Sequence, residues 1–437
     1  MRQYIRTASD LLTSDQIPDY DALLSQRPAG RKLRVLSLFS GCGGMDLGLE
    51  GGFIAPRKSF PEGSKSISRL LNDDWVLLRP TRLETVFAND ILPEAATAWK
   101  AYMSRFGRGG DTYTSESVVN LVKRHVAGES VFPADIDIVT GGFPCQDFSL
   151  AGKRMGFNSG KSHDGKRRTD DEPSEETRGK LYFWMKQVID ATRPKVFIAE
   201  NVKGLVSLGD AKDVIQRDFA SADGGGYVVL TPRVLHAADY GVPENRERVI
   251  FIGLRRNALR PEVLEAIENG SADPSFDPYP TPTHAFTVSD SSLLPPVTTD
   301  DILHALREPG ESQDPAQNVF SRAKYLAKGQ GQTEIRKDGI GPTIRSEHHG
   351  NIEFRRLSAA HGGKHADELA AGLPERRLTP RECALIQTFP PDYPFIIPEQ
   401  RLSASGAYKV IGNAVPPVLA FKIAERIEAF ILTAFKE

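Results

Sequence analysis

Between Leu33 and Gly253 the chain alternates short β-rich runs, KLRVLSLF, ETVFAND, DIDIVTGG, KVFIAEN, GYVVLTPRVL and RVIFIGL, with stretches of helical length. This alternation predicts a parallel α/β sheet, because parallel neighbours need long crossover connections and helices supply them. The runs are apolar at both alternations, as expected for strands covered by helices on both faces. In such sheets ligands bind beyond the carboxyl ends of the strands, so chemistry is sought there first.

Beyond Arg256 the alternation gives way to PSFDPYPTPTHAF and LLPPVTTDD, and periodicity returns at RLTPRECALIQTF. The expected organisation is an N-terminal extension over 1–32, a first domain over 33–255, a second over 256–376, and a segment over 377–437 that packs back on the first. Two insertions stand out. Residues 56–83 are rich in Pro, Ser, Lys and Gly, and residues 157–178 are nearly all polar or charged. The second has the composition of a solvated loop, expected to be mobile until a ligand lets it close.

At 437 residues and 40% hydrophobic, the chain can bury a large core. Residues 1–31 carry charges and no apolar run, so neither a secretory signal nor a membrane span is expected, and a cytoplasmic setting follows. Cys42, Cys145 and Cys383 lie far apart without a CxxC pair. Neither a disulfide framework nor a metal site is indicated, and any special cysteine must act singly. A net charge of -2 argues against a surface coated in positive charge for indiscriminate nucleic-acid binding.

The first run leads into FSGCGG and then MDLGLE, a strand, a Gly-rich turn and a helix start. Glycines let the backbone approach a ligand, and a helix start offers free N–H groups. No Lys-Ser or Lys-Thr follows, and Asp46 stands where a dinucleotide-binding turn has its third glycine. A nucleoside without a pyrophosphate fits better. Asn89-Asp90 ends the next run, where a carboxylate can accept both ribose hydroxyls; the 56–83 insertion explains the long spacing. GGFPCQDFS ends the third run and puts Cys145 in a Pro-flanked turn where a ligand would bind. Glu200 follows the run KVFIA. Arg246 and Arg248 alternate ahead of VIFIG and are expected to point to one side of the strand.

GGFPCQDFS, AENVKGL, YGVPENRERVIFIG, RLTPRECALIQTFP and IGNAVPP follow LFSGCGG in an order that resembles the motif set of DNA (cytosine-5)-methyltransferases of the bacterial restriction-modification type. The resemblance covers about 33–255 and 377–437. It implies a Rossmann-like, S-adenosylmethionine-dependent methyltransferase sheet with a smaller target-recognition domain. It places Phe39, Ser40, Gly41, Gly43, Gly44, Asp90, Ile91, Pro144, Leu181, Asn413 and Val415 around S-adenosylmethionine. It implies Cys145 as nucleophile, Glu200 as partner of cytosine N3, Arg248 as a contact to cytosine O2, and Arg246 near the phosphate backbone. The implied partner is double-stranded DNA, bound by a monomer in a bacterial or phage-encoded, nucleoid-associated setting, with a cognate restriction endonuclease as a candidate companion. Two positions depart from the family pattern. Glu244 stands where Gln is common, and the acidic residue that reads the adenine amino group has no clean counterpart in SESVVNLV, where Glu116 and Ser117 align comparably.

The implied chemistry has a physical basis. Cytosine C5 is too weakly nucleophilic to attack a sulfonium methyl group, but thiolate addition at C6 with a proton donated to N3 makes it enamine-like. Cys supplies the nucleophile, and a Glu kept protonated by burial supplies the donor. No base for the later loss of the C5 proton is identified. The alternatives are an RNA cytosine-5-methyltransferase, disfavoured by the size of 256–376, and a catalytically silent DNA-binding regulator, disfavoured by intact Cys145, Glu200 and Arg248. A nicotinamide-dependent oxidoreductase is disfavoured by Asp46.

Within 256–376 the charge divides. Residues 256–317 hold 3 Lys/Arg against 11 Asp/Glu, and residues 318–357 hold 8 against 4. The basic half is expected to meet DNA, and substitutions in 273–301 to leave site choice unchanged. Thr343-Ile344 resembles the Thr-aliphatic dipeptide of family recognition domains, and Arg345 beside it is the expected guanine reader.

Overall fold

The computed structural model describes residues 10–144, 181–270, 273–286, 292–346, 352–400 and 402–436. Cys145 and the 157–178 insertion lie outside the described residues. The main sheet comprises β1 (Leu33–Leu38), β5 (Leu83–Asn89), β6 (Tyr113–Thr114), β7 (Ile138–Gly142), β8 (Val196–Val202), β9 (Tyr227–Val229), β10 (Arg233–His236) and β11 (Glu247–Arg255). A separate three-stranded antiparallel sheet, β2 (Ile54–Pro56), β4 (Trp75–Leu78) and β3 (Ile67–Leu70), fills most of the 56–83 insertion.

The main sheet runs β10-β11-β8-β7-β1-β5-β6, with β9 also paired to β11. Strands β1, β5, β6, β7 and β8 are parallel, but β11 runs against β8 and against both β9 and β10. The expected parallel sheet is found in β1, β5, β6, β7 and β8, and the antiparallel strands β9, β10 and β11 extend it at one edge. The run GYVVLTPRVL breaks at Thr231-Pro232 into β9 and β10, which pair with opposite halves of β11. The stretch from His236 to Glu247 is also too short for the helical crossover that parallel pairing requires.

Both faces are covered. Val35, Ile138, Ile198, Ile250 and Ile252 join one core, while Leu36, Val139, Phe197, Ala199, Val249 and Phe251 join the other. The first core is closed by α2 (Gly44–Glu50), α3 (Pro93–Met103) and a C-terminal helix, α9 (Pro417–Ala434). The second is closed by α4 (Val118–Val126), α5 (Leu181–Thr192) and α6 (Ala211–Ala220). Helices α7 (Pro380–Ile386) and α8 (Ala404–Asn413) precede α9. A Cβ on Gly48 would lie 2.3 Å from the Ala420 Cβ, so α2 and α9 meet at backbone distance. The C-terminal segment thereby becomes part of the first core.

Residues 10–32 are equally integrated, around a short helix α1 (Tyr20–Leu24). The Tyr20 hydroxyl bonds Tyr102 and Asp392, and Arg27 donates to the Leu83 carbonyl and pairs with buried Glu50. The described part of 256–376 has little regular structure besides a helix at Pro261–Glu268, two shorter helical turns at Asp300–Leu303 and Ala366–Ala370, and the short pair β12 (Phe354–Arg356) and β13 (Arg376–Arg377). Buried guanidinium groups satisfy its irregular backbone and acids instead. Arg356 bonds Glu308, Glu368 and the Pro374 carbonyl, and Arg377 bonds the Ala323 and Gly331 carbonyls.

Candidate active site

The parallel strands end at a cavity of about 480 Å³. It sits where β5 leaves one side of β1 and β7 the other, the topological switch at which such sheets bind ligands. Phe39 follows β1 with φ +53°, an uncommon backbone state for a side-chain-bearing residue, and turns the chain into the wall of the cavity. The Ser40 hydroxyl is within hydrogen-bond distance of the Ser37 hydroxyl and accepts the Asn89 N–H, locking the ends of β1 and β5 together. Gly43 lies behind the wall at φ +88°, where a Cβ would come within 2.7 Å of Trp99. A Cβ on Gly44 would strike the Val415 carbonyl at 2.2 Å, so the turn and residues 413–415 close on each other. Asp46 is fully buried and accepts from the Ser37 hydroxyl and the Trp99 indole, each at 2.6 Å. Burial pushes its carboxyl up to about 6 against those two bonds. In place of a third glycine, the chain has a carboxylate that braces the turn.

Asp90 accepts the Gly41 N–H at 3.0 Å and the Leu92 N–H at 2.9 Å. Burial raises its carboxyl, while these bonds and the Lys409 charge oppose the rise. Of the residues expected around a nucleoside, Phe39, Ser40, Gly41, Gly44, Asp90, Ile91, Pro144, Leu181, Asn413 and Val415 line the cavity. Ser117 and Val118 line it as well, whereas Glu116 pairs with Arg124 away from it. Sequence reasoning missed Thr140, Asn201 and Lys409, which also line the wall. Each carried a signal: Thr140 is the polar residue that closes the apolar run before Gly141-Gly142, Asn201 is one residue from the end of β8, and Lys409 is four residues before Asn413 on α8, on the same helical face.

Glu200 stands in the last three residues of β8, in register with Gly142 at the end of β7. A Cβ on Gly142 would lie 2.9 Å from Glu200 Oε2, so the glycine leaves room for the carboxyl. Arg248 Nε pairs with Glu200 Oε1 at 2.8 Å. Burial holds the Glu200 carboxyl above its ordinary range despite Arg248 and Arg246. Asn201 donates to the Phe143 carbonyl at 3.2 Å, which ties β8 to the segment leading to Cys145.

Two expectations are corrected. Arg246 does not share the position of Arg248 and does not face a phosphate. It is fully buried and donates to the Ile344, Gly412 and Ala414 carbonyls, because it precedes β11 in a turn covered by two other segments. Ile344 is not presented to a base: it is 5% exposed, and its N–H is held by Glu244 at 2.7 Å. Of the three expected DNA readers, Thr343 and Arg345 remain partly accessible, Thr343 through a hydroxyl bonded to the Asn245 carbonyl. Arg345 Nη1 is buried without a hydrogen-bond partner among the described residues.

A family model described as C-5 cytosine-specific DNA methylase matches residues 33–429. The Type II methyltransferase M.NgoFVII of Neisseria gonorrhoeae is 28% identical over 410 residues, covering 91% of this chain and 87% of that protein. The Type II methyltransferase M.BsuRI of Bacillus subtilis is 31% identical over 411 residues, covering 91% and 79%. The crystal structure of S. pombe Dnmt2 methyltransferase shares the fold at a TM-score of 0.52 and 16% identity, covering 91% of this chain and 98% of that one.

Proposed function

The chain belongs to the C-5 cytosine-specific DNA methylase family, and from that premise we propose how its residues carry the reaction. It is a DNA (cytosine-5)-methyltransferase. The observation that carries the assignment of roles is the pair of buried Glu200 with partly buried Arg248 beside a cavity whose wall includes Pro144, the residue before Cys145.

S-adenosylmethionine, when bound, supplies an electrophilic methyl group. The cavity fits such a ligand: its volume is that of a small-molecule site, and both Asp90 oxygens keep acceptor capacity beyond their backbone bonds. The Thr140 hydroxyl is buried without a partner among the described residues, a polar atom suited to a ligand or water. Phe39 offers an aromatic face for adenine and Asp90 two acceptors for ribose. Phe39→Ala and Asp90→Ala should each weaken binding by about 1–3 kcal/mol. Calorimetry finding both affinities unchanged would remove this assignment.

The target cytosine must leave the duplex to reach this depth. The Cys145 thiolate then adds to C6, breaking the C5–C6 double bond, while the protonated Glu200 carboxyl donates at N3 and Arg248 holds O2. The electron pair released to C5 would take up the methyl group as the methyl–sulfur bond breaks, the sulfur keeping that bonding pair and leaving as a neutral thioether. Loss of the C5 proton restores the double bond and expels the thiolate. Arg246, deep in the protein, acts on the wall and not on the phosphates.

We assign target recognition to 256–376, with base contacts from 318–357. Arg345 is the guanine reader, supported by its partial exposure within the basic stretch and by the bidentate fit of arginine to guanine. Arg345→Ala should cost about 1–3 kcal/mol on the preferred sequence and relax one base pair, as methylation mapping would show. Unchanged site choice would reject it. The names of the relatives support a restriction-modification role; the accompanying proposal is a monomer acting on DNA in the bacterial cytoplasm beside a cognate endonuclease. Transfer from labelled S-adenosylmethionine to DNA, to RNA or to neither tests the substrate, and bisulfite sequencing of DNA from expressing cells gives the target.

A further inference from the structure

Three segments distant in sequence meet at one buried side chain. Arg246 Nη1 donates to the Ile344 carbonyl at 2.9 Å, and Nη2 to the Gly412 and Ala414 carbonyls at 2.9 and 2.7 Å. Glu244, fully buried beside it, accepts the Ile344 N–H at 2.7 Å and pairs with Arg246 at 3.3 Å. The backbones are paired as well: Asn245 N–H donates to the Gly341 carbonyl and Gly341 N–H to the Pro243 carbonyl, both at 2.8 Å. On the far side, a Cβ on Gly412 would lie 2.1 Å from the Arg345 carbonyl carbon, so α8 presses directly on the recognition segment. One step along the chain in one direction lies Asn413 of the cofactor wall; two steps in another lies Arg248, the partner of Glu200.

We propose that Glu244 and Arg246 are positioning residues that hold the recognition segment 341–345 in register with the catalytic wall, so that sequence discrimination depends on a pair that touches no base. The inference rests on the functional assignment above and deepens it. A base contact made by Thr343 or Arg345 moves a segment whose peptide groups at Ile344 are clamped by this pair. A well-seated segment places Arg248 and residues 413–415 correctly, and a mismatched base strains that placement and lowers turnover. Neither group could do this from the surface, where water would compete for each bond. Glu244 Oε2 has no partner among the described residues, so the function of this carboxyl lies in Oε1, an acceptor that an amide oxygen reproduces.

The test uses the full-length protein and two duplexes, one carrying the target mapped by bisulfite sequencing and one with a single base pair changed. Glu244→Ala should reduce the ratio of kcat/KM between them by about tenfold, and Glu244→Gln should keep it within about twofold of wild type. Cofactor affinity without DNA should stay within about threefold for both. If Glu244→Ala does not fold, Arg246→Lys takes its place, since it keeps the charge but loses the planar fork and should lower the ratio in the same way. A fall in rate that is equal on both duplexes, leaving the ratio unchanged, overturns the proposal and marks the pair as merely structural. Equal loss of discrimination in Glu244→Gln and Glu244→Ala overturns the role given to Oε1. Wild-type protein that methylates no cytosine contradicts the functional assignment itself, and that result is read before any variant is compared.

Discussion

Cys145→Ser is expected to abolish methyl transfer, by at least about three orders of magnitude, while leaving S-adenosylmethionine and DNA binding largely intact. A hydroxyl is a far poorer nucleophile than a thiolate near neutral pH, and nothing else in the proposed reaction makes C5 reactive. The described residues support the placement of the reaction up to the peptide before Cys145: Pro144 lines the cavity, and Asn201 bonds the Phe143 carbonyl. A second reading of the same chemistry uses DNA with 5-fluorocytosine at the target. Fluorine cannot leave as a cation, so wild-type protein should remain covalently attached and migrate as an adduct on a denaturing gel. Turnover by Cys145→Ser near the wild-type rate, or the absence of the adduct, would remove the covalent mechanism.

Glu200→Gln is expected to reduce turnover by about two to three orders of magnitude, the usual contribution of a positioned general acid. Glutamine keeps the shape and a hydrogen-bond donor but has no proton to give. The wild-type pH dependence follows from burial, which raises the Glu200 carboxyl above its ordinary range, with Arg248 opposing. Below the raised value the group carries the proton that N3 needs, so activity is present there. As pH rises through that value the proton is lost and kcat/KM should fall. The profile of Glu200→Gln should lack this alkaline limb. A variant with a wild-type rate, or with the same limb, would show that another group donates. Glu200→Ala is a poorer probe, because it would leave the partly buried Arg248 without its carboxylate partner.

These outcomes bear on how much of the site was legible before the fold was known. Signals that depend on near neighbours in the chain were readable. Doubly apolar strand runs predict a sheet covered on both faces, and the observed cores alternate residue by residue along β1, β7, β8 and β11. Asp90 and Glu200 were noticed because they close apolar runs, and the glycine turn because its spacing excludes both phosphate-binding alternatives. Asp46 was read only as a missing glycine, since the Trp99 that makes it a brace lies 53 positions away.

The sequence by itself determined the class of sheet, the order of the motifs and the carboxyl ends at which polar residues gather, because periodicity and turn chemistry act over a few residues. Only the tertiary structure decided that β11 reverses, since the direction of a strand depends on the length and path of its connections. It also decided that residues 10–32 belong to the core, through Tyr20 and Arg27 reaching Asp392 and Glu50. The roles of the paired arginines needed it most. Arg246 and Arg248 are two residues apart and chemically alike, yet one is sealed among carbonyls from 344, 412 and 414 and the other faces Glu200 at the cavity. A guanidinium takes its function from the acceptors that surround it, and here those acceptors come from parts of the chain that only folding brings together.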